Sequence, residues 1–255
     1  MDKSQPGEVG VGPYDGPSTS DPRLDPELLR DGDRRNVADR YRYWRLEAIV
    51  ADLDRTRHPF HVAIENWEHD FNIGSVVRTA NAFNAAAFHI VGRRRWNRRG
   101  AMVTDRYQHE YHHPDAAALA AWAAGSSEGD ASRAPSGSGR HSGVAVGGGM
   151  WGGGIPGGGI PGGRTPGGGI PGGGIPLIGI DNVPGSVALE TYDLPRDCVL
   201  VFGQEGPGLT PAMQQVCQVV LHIEQFGSTR SINAGAAAAI AMHAWVRRHV
   251  VGQRP

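Results

Sequence analysis

The chain has 255 residues, 39% hydrophobic and 20% charged, with a formal net charge of −1. Near-neutral charge announces no polyanionic partner. No apolar run reaches the roughly 18 residues of a transmembrane helix, and the polar N-terminus lacks a signal-peptide core. Its 2 Cys form no CxxC and cannot build a disulfide framework. With no HExxH and no zinc-like Cys/His spacing, no metal site is expected. A reducing, cytoplasmic setting and no membrane contact are the expectations.

Residues 1–35 are rich in Asp, Gly, Pro and Ser, which predicts a disordered tail. A methyl-rich, patterned region then runs over 36–250. Tyr41, Trp44, Ala48, Ile49 and Leu53 recur near helical spacing, so a helix is expected over 37–53, ended by Pro59. His61–Ile64 reads as a strand, Ile73–Phe83 as a helix and Ala87–Val91 as a strand. The trio His109, His112 and His113 reads as a solvated polar loop. Asp115–Ala124 follows Pro114 and reads as a helix. Leu177–Ile180 and Val199–Phe202 are strand-like, Pro211–Val216 is a short helix, and Val219–Ile223 is another strand. A long helix is expected over Ile232–Val250, with Arg247, Arg248 and His249 suiting its C-terminal dipole. Strands alternating with helices predict an α/β fold with a mainly parallel sheet flanked by helices.

One stretch, 125–176, interrupts the alternation. It holds 22 of the 38 glycines, and Gly152–Pro176 is five pentapeptides in series, four of them GGGIP and the central one GGRTP. One Ile per unit is too little apolar surface to stack as a solenoid. Such sequence has high backbone entropy and little to bury, so a flexible insertion is expected. Its flanks belong to one sheet domain and should lie near each other.

Three stretches carry candidate chemistry. In the first, Asn72-Ile-Gly-Ser-Val-Val-Arg78, the two polar residues are six apart, about 600° around a helix, so they need not share a face. On its own this stretch fits an N-cap and a surface arginine. The second, Phe202-Gly203-Gln-Glu205-Gly206-Pro-Gly208-Leu209, ends a strand in glycines that let backbone approach a ligand. Its order is GxxGxG, not the GxGxxG of dinucleotide sites, which argues against a nicotinamide-dependent oxidoreductase. The third, Ile223-Glu-Gln-Phe-Gly227-Ser-Thr-Arg-Ser231-Ile232-Asn233, opens a helix of small residues, where Ser231 or Asn233 fits as a cap.

In order and spacing these stretches resemble the three motifs of the SpoU/TrmH branch of the SPOUT RNA methyltransferases. The likeness covers about residues 60–250 apart from the insertion. Glu224 stands where the family usually has Pro, and Ile232 where it has Leu. The resemblance implies a sheet whose C-terminal chain threads a deep trefoil knot, an exception to unknotted topology. It implies S-adenosylmethionine held by Gly203, Gly208, Ile223, Gly227 and Ile232, largely through backbone groups. It also implies a homodimer with a composite active site, in which Arg78 of one subunit meets the cofactor of the other. Asn72, Glu205, Ser231 and Asn233 would orient Arg78 and the ribose. The implied reaction is methyl transfer to a ribose 2′-hydroxyl of RNA.

Arg93, Arg94, Arg95, Arg98 and Arg99 flank Trp96 and suit phosphate contact with base stacking. Arg106, Tyr107 and His109 extend that patch. The form of the third stretch looks like that of the tRNA D-loop guanosine enzymes, which places tRNA first and rRNA second. The rival from another class is a knotted RNA-binding protein without catalysis, against which Arg78 and Asn233 argue.

Overall fold

A computed structural model describes residues 10–67, 72–125, 174–204 and 206–251. Seven strands form one sheet: β1 Phe60–Asn66, β2 Phe88–Gly92, β3 Glu110–His113, β4 Leu177–Ile180, β5 Val187–Ala188, β6 Cys198–Phe202 and β7 Val219–His222. Their order across the sheet is β3-β2-β1-β6-β4-β7-β5, and every pairing is parallel. The helices are α1 Pro26–Asp31, α2 Leu46–Asp54, α3 Ile73–Ala82, α4 Ala116–Gly125, α5 Pro211–Val216 and α6 Ala234–His249.

A parallel sheet needs cover on both faces, and the alternation along each strand divides the core accordingly. Val62 and Ile64 of β1, and Leu200 and Phe202 of β6, face α3 and α6, where Val76, Val77, Met242 and Trp245 meet them. Ala63, Val199 and Val201 face the other way, toward Leu119 of α4 and Met213 of α5. The result is three layers, helix on sheet on helix. α3 and α6 share a layer, so the first and third motif stretches begin side by side above the strand ends.

Three expectations change. Residues 10–35 are not a free tail. Val11 pairs with Asp33, α1 is capped by Asp25, and the Asp33 carboxylate is fully buried. That carboxylate accepts from the Arg35 side chain at 2.7 and 2.9 Å and from the backbone N–H of Arg35 and Tyr43 at 3.0 and 2.9 Å. Composition predicted disorder because apolar residues are few; polar staples order this segment instead. Residues 1–9 lie outside the described residues.

The helix expected over 37–53 is broken at Tyr43, whose φ of 61° no helix accommodates. A 3-10 turn at Asp39–Tyr41 precedes it, and only Leu46–Asp54 is α-helical. Third, the histidine trio is not a solvated loop. His112 and His113 lie on β3, and His113 is buried.

The histidines join a chain across three strands. Imidazole nitrogens of His61 and His89 are 3.0 Å apart, and those of His89 and His113 are 2.9 Å apart. Trp122 of α4 closes over them, its ring 4.3 Å from that of His89. Burial drives the His61 imidazole down to about 4 and His89 well below the ordinary histidine value, so both stand neutral.

The insertion expected over 125–176 lies almost wholly outside the described residues. Its flanks are adjacent: the Ile175 N–H donates to the Ala123 carbonyl at 3.0 Å.

Candidate functional site

The carboxyl ends of β4, β6 and β7 open into a cavity of about 350 Å³. Ile180, Phe202 and Ile223 form its floor at the strand ends. Gly203, Gln204, Gly206 and Gly208 form one wall, and Gln225, Ser231, Ile232 and Asn233 form another. This is where an open parallel sheet binds ligands.

The glycine loop leaving β6 is held from both sides. β6 lies between β1 and β4, and each neighbour ends in a carboxylate aimed at the loop. Asp181, one residue past β4, accepts from the Leu209 N–H at 2.7 Å. Glu65 of β1 accepts from the next amide, Thr210 N–H, at 2.8 Å and from the Thr210 hydroxyl at 2.7 Å. The Trp67 indole donates to Glu65 at 3.1 Å, and Glu65 is 1% exposed. Thr210 also caps α5 through its hydroxyl. Sequence reasoning passed over both acids. The signal was available: each is the first acidic residue to follow an apolar strand run.

Gly203 owes its identity to this loop. A Cβ added there would collide with the Gly208 carbonyl carbon and the Leu209 nitrogen. The expectation that Gly203 stays bare only to let a ligand approach is thus incomplete. It lines the cavity, and it also lets the loop close on itself.

The first and third stretches meet directly. Asn233 is the N-cap of α6, its Oδ1 accepting from Gly235 and Ala236 at 2.9 and 3.3 Å. Its Nδ2 donates to Asn72 Oδ1 at 3.1 Å, across 161 residues of chain. Asn72 occupies the N-cap position of α3 but makes no side-chain cap. Gly74 has a separate purpose: a Cβ there would lie 2.6 Å from Gly100 C and Ala101 N, so α3 accepts the backbone of the arginine-rich loop.

Not every expected residue joins the cavity. Ser231, Ile223, Ile232, Gly203 and Gly208 line it; Gly227 does not, and a Cβ there would meet nothing within 4 Å. Arg78 is exposed on α3 and does not line the cavity of its own chain. Its guanidinium makes no hydrogen bond or ion pair among the described residues. Glu205 lies outside the described residues.

The arginine cluster divides. The Asn66 amide fixes the loop by donating to the carbonyls of Arg93 and Arg95 at 2.6 and 3.0 Å. Arg93, Arg94, Arg95 and Arg99 are exposed. Arg98 is instead engaged, bonding Asp105 at 2.7 Å and Glu110 at 2.7 Å with its guanidinium over Trp96. Trp96 is 8% exposed and donates to Glu110, so neither is free to meet a ligand.

The lining mixes apolar side chains with the polar groups of Asp181, Asn182, Gln204, Gln225, Ser231 and Asn233 and suits a ligand that carries both. Asp181 adds negative charge, and the volume is of the size that takes small cofactors. No group of His, Cys, Asp or Glu among the described residues could hold a metal ion. Burial pushes the thiols of Cys198 and Cys217 up to about 12, so neither serves as a nucleophile near neutral pH.

Residues 170–243 match the SpoU rRNA methylase family. A tRNA (guanosine(18)-2′-O)-methyltransferase of Saccharomyces cerevisiae is 30% identical over 75 residues, which is 29% of this chain and 5% of the yeast protein. A tRNA/rRNA methyltransferase of Mycobacterium ulcerans, itself uncharacterized, is 33% identical over 66 residues, 26% of this chain and 21% of that one. The matches thus take in a small part of each relative's length. Among solved structures, the A. aeolicus TrmH/SpoU tRNA modifying enzyme superposes with a TM-score of 0.56 at 14% identity, covering 81% of this chain and 83% of the other. The SpoU methyltransferase AviRb of Streptomyces viridochromogenes, solved with AdoMet, gives 0.52 at 20% identity, covering 78% and 61%. At these identities the structures establish a shared fold.

Proposed function

We propose that this chain, a member of the SpoU/TrmH branch of RNA methyltransferases, transfers a methyl group from S-adenosylmethionine to a ribose 2′-hydroxyl of RNA. One observation carries the proposal: the second and third motif stretches line one strand-end cavity, and the first is tied to its wall by the bond from Asn233 to Asn72 at 3.1 Å.

In this proposal the wall formed by Gly203, Gly206 and Gly208 and by Ile223, Gln225 and Ile232 holds the cofactor. The cofactor supplies a methyl already activated on a sulfonium. That methyl would pass to the 2′-hydroxyl oxygen with the thioether as leaving group, the hydroxyl proton going to solvent water. That hydroxyl is a poor nucleophile until its charge is supported. Arg78 is locked as a cation, so its role is to stabilise the developing alkoxide rather than to take the proton. Because Arg78 stands exposed outside its own cavity, it serves the cavity of a second subunit in a homodimer. Asn72, Asn233 and Ser231 hold the ribose and the entering chain, with Glu205 assigned to the same task by its motif position.

The trefoil knot belongs to the same proposal. Its support is that the 223–233 segment is tied to the loop that follows β4, the Asn182 amide donating to the Arg230 carbonyl at 3.0 Å. Arg93, Arg94, Arg95 and Arg99 form the phosphate-binding surface, and tRNA, at a D-loop guanosine, is the first substrate to test.

Mass-spectrometric mapping of ribose methylation in tRNA and rRNA from cells lacking the protein tests this. Loss of one 2′-O-methyl nucleotide, restored by the purified protein with S-adenosylmethionine, is the expected result. An unchanged map, with no methyl transfer to RNA in vitro, defeats it.

A further inference from the structure

The segment 223–233 turns most of its apolar side chains inward, with Ile223 and Ile232 in the cavity wall. Phe226 does the reverse. Its ring is 92% exposed, more than any other large hydrophobic residue described. An isolated exposed apolar residue is ordinary. Three circumstances set this one apart.

The first is place. Phe226 follows Gln225, which lines the cavity, so the exposed ring belongs to the segment that forms the cavity wall without lining the cavity itself. The second is anchorage. The Glu224 N–H donates to Glu190 at 3.2 Å on one side, and the Arg230 carbonyl accepts from Asn182 at 3.0 Å on the other. The ring is presented by a segment tied at both ends. The third is charge. Arg230 is exposed, and its guanidinium has no partner among the described residues.

An open aromatic face and a free guanidinium on one anchored segment, four residues apart, are the groups that receive an unstacked base and its phosphate. They do not suit a duplex, whose bases keep their faces covered. A nucleotide whose ribose enters the cavity must leave its stack, which exposes the base to the segment that carries Phe226.

We propose that Phe226 is a stacking platform for an unstacked nucleobase of the RNA substrate, with Arg230 holding a neighbouring phosphate. This rests on the methyltransferase assignment of the cavity.

The test measures fluorescence anisotropy of a short single-stranded oligoribonucleotide of mixed sequence, and of the same sequence as a perfect duplex. Phe226→Ala is expected to weaken single-strand binding about tenfold and to leave duplex binding within about twofold. Phe226→Trp should restore the loss. The S-adenosylmethionine affinity by calorimetry, and the mass by sedimentation, should match wild type in both variants. Equal single-strand binding by wild type and Phe226→Ala overturns the proposal. So does weakened cofactor binding in Phe226→Ala, which would assign the ring to the cofactor. A change in mass overturns it too, by making the ring a subunit contact. If wild type binds no S-adenosylmethionine while the single-strand effect persists, the methyltransferase assignment fails and the stacking surface stands.

Discussion

Arginine supplies the chain's charge at the site, and the structure sorts those arginines by what they touch. Arg98 is committed to Asp105 and Glu110, while Arg78 keeps its guanidinium exposed on α3. If Arg78 supports the alkoxide of the 2′-hydroxyl, Arg78→Ala should lower turnover about 100-fold or more, the scale of losing one oxyanion contact. Cofactor affinity and melting temperature should hardly move, because the side chain has no partner to lose among the described residues. Single-turnover methylation beside calorimetric titration separates these effects, and turnover near wild type would remove Arg78 from the mechanism. Sequence could nominate Arg78 through its motif but could not separate Arg98 from its neighbours. The acids that engage Arg98 lie 7 and 12 residues onward, one of them on a strand that the local pattern did not reveal.

At the scale of elements, the long apolar strands and α6 were legible because their patterns repeat over many residues. β3 was not: Glu-Tyr-His-His is polar, and its burial depends on His89 and Trp122, which arrive from elsewhere in the chain. The same holds for the clamp on the glycine loop. The loop itself could be read from its glycines, but Glu65 reaches Thr210 across 145 residues, a relation no local pattern encodes. Glu65→Gln keeps the size of the side chain but cannot accept both Thr210 bonds and the indole bond as a carboxylate does. We expect a loss of about 1–3 kcal/mol of stability, the scale of a buried group left unsatisfied. Cofactor affinity should fall with it, since the clamp sets the amides of the cavity wall. Trp67→Phe, which removes only the indole bond, should do less on both counts. Urea unfolding and calorimetry on the two variants check the order; equal effects would mean that the carboxylate does not position the loop.

The molecule as a whole should be acid-sensitive in two windows. His61, held down to about 4 by burial, and His89, held well below the ordinary histidine value, are neutral when folded, and each takes a proton near pH 6.5 once unfolded. The unfolded chain therefore binds more protons below pH 6.5, and stability present above that pH declines as the pH falls toward 4. For Asp33, burial opposes the charge, but its bonds to Arg35 and the Tyr43 amide outweigh burial and hold the carboxyl at about 2. Its contribution is present above about pH 4 and is lost as the pH falls toward 2. Denaturant midpoints at pH 7.5 and pH 5 should differ in wild type and differ less in His61→Gln, where His89 alone remains; an equal difference in both would take His61 out of the pH response.

The insertion poses the last question at this scale, because composition could mark it as foreign to the fold while saying nothing of how the chain bridges it. The structure answers at the flanks. α4 ends at Gly125, and the Ile175 N–H reaches back to the Ala123 carbonyl at 3.0 Å, immediately before β4 begins at Leu177. The two ends are thus joined by the fold itself, and β4 pairs with β6 and β7. For an open loop, each doubling of length costs only about 0.6 kcal/mol of closure entropy. Replacing 126–173 with a short Gly/Ser linker should therefore hold or slightly raise the melting temperature. Cofactor binding should be unchanged, because every described residue that lines the cavity lies at Ile180 or beyond. Calorimetric unfolding and S-adenosylmethionine titration of the shortened chain measure both. A fall in melting temperature of several degrees, or lost cofactor affinity, would mean that the pentapeptide region packs on the domain and that its Ile residues are part of the core.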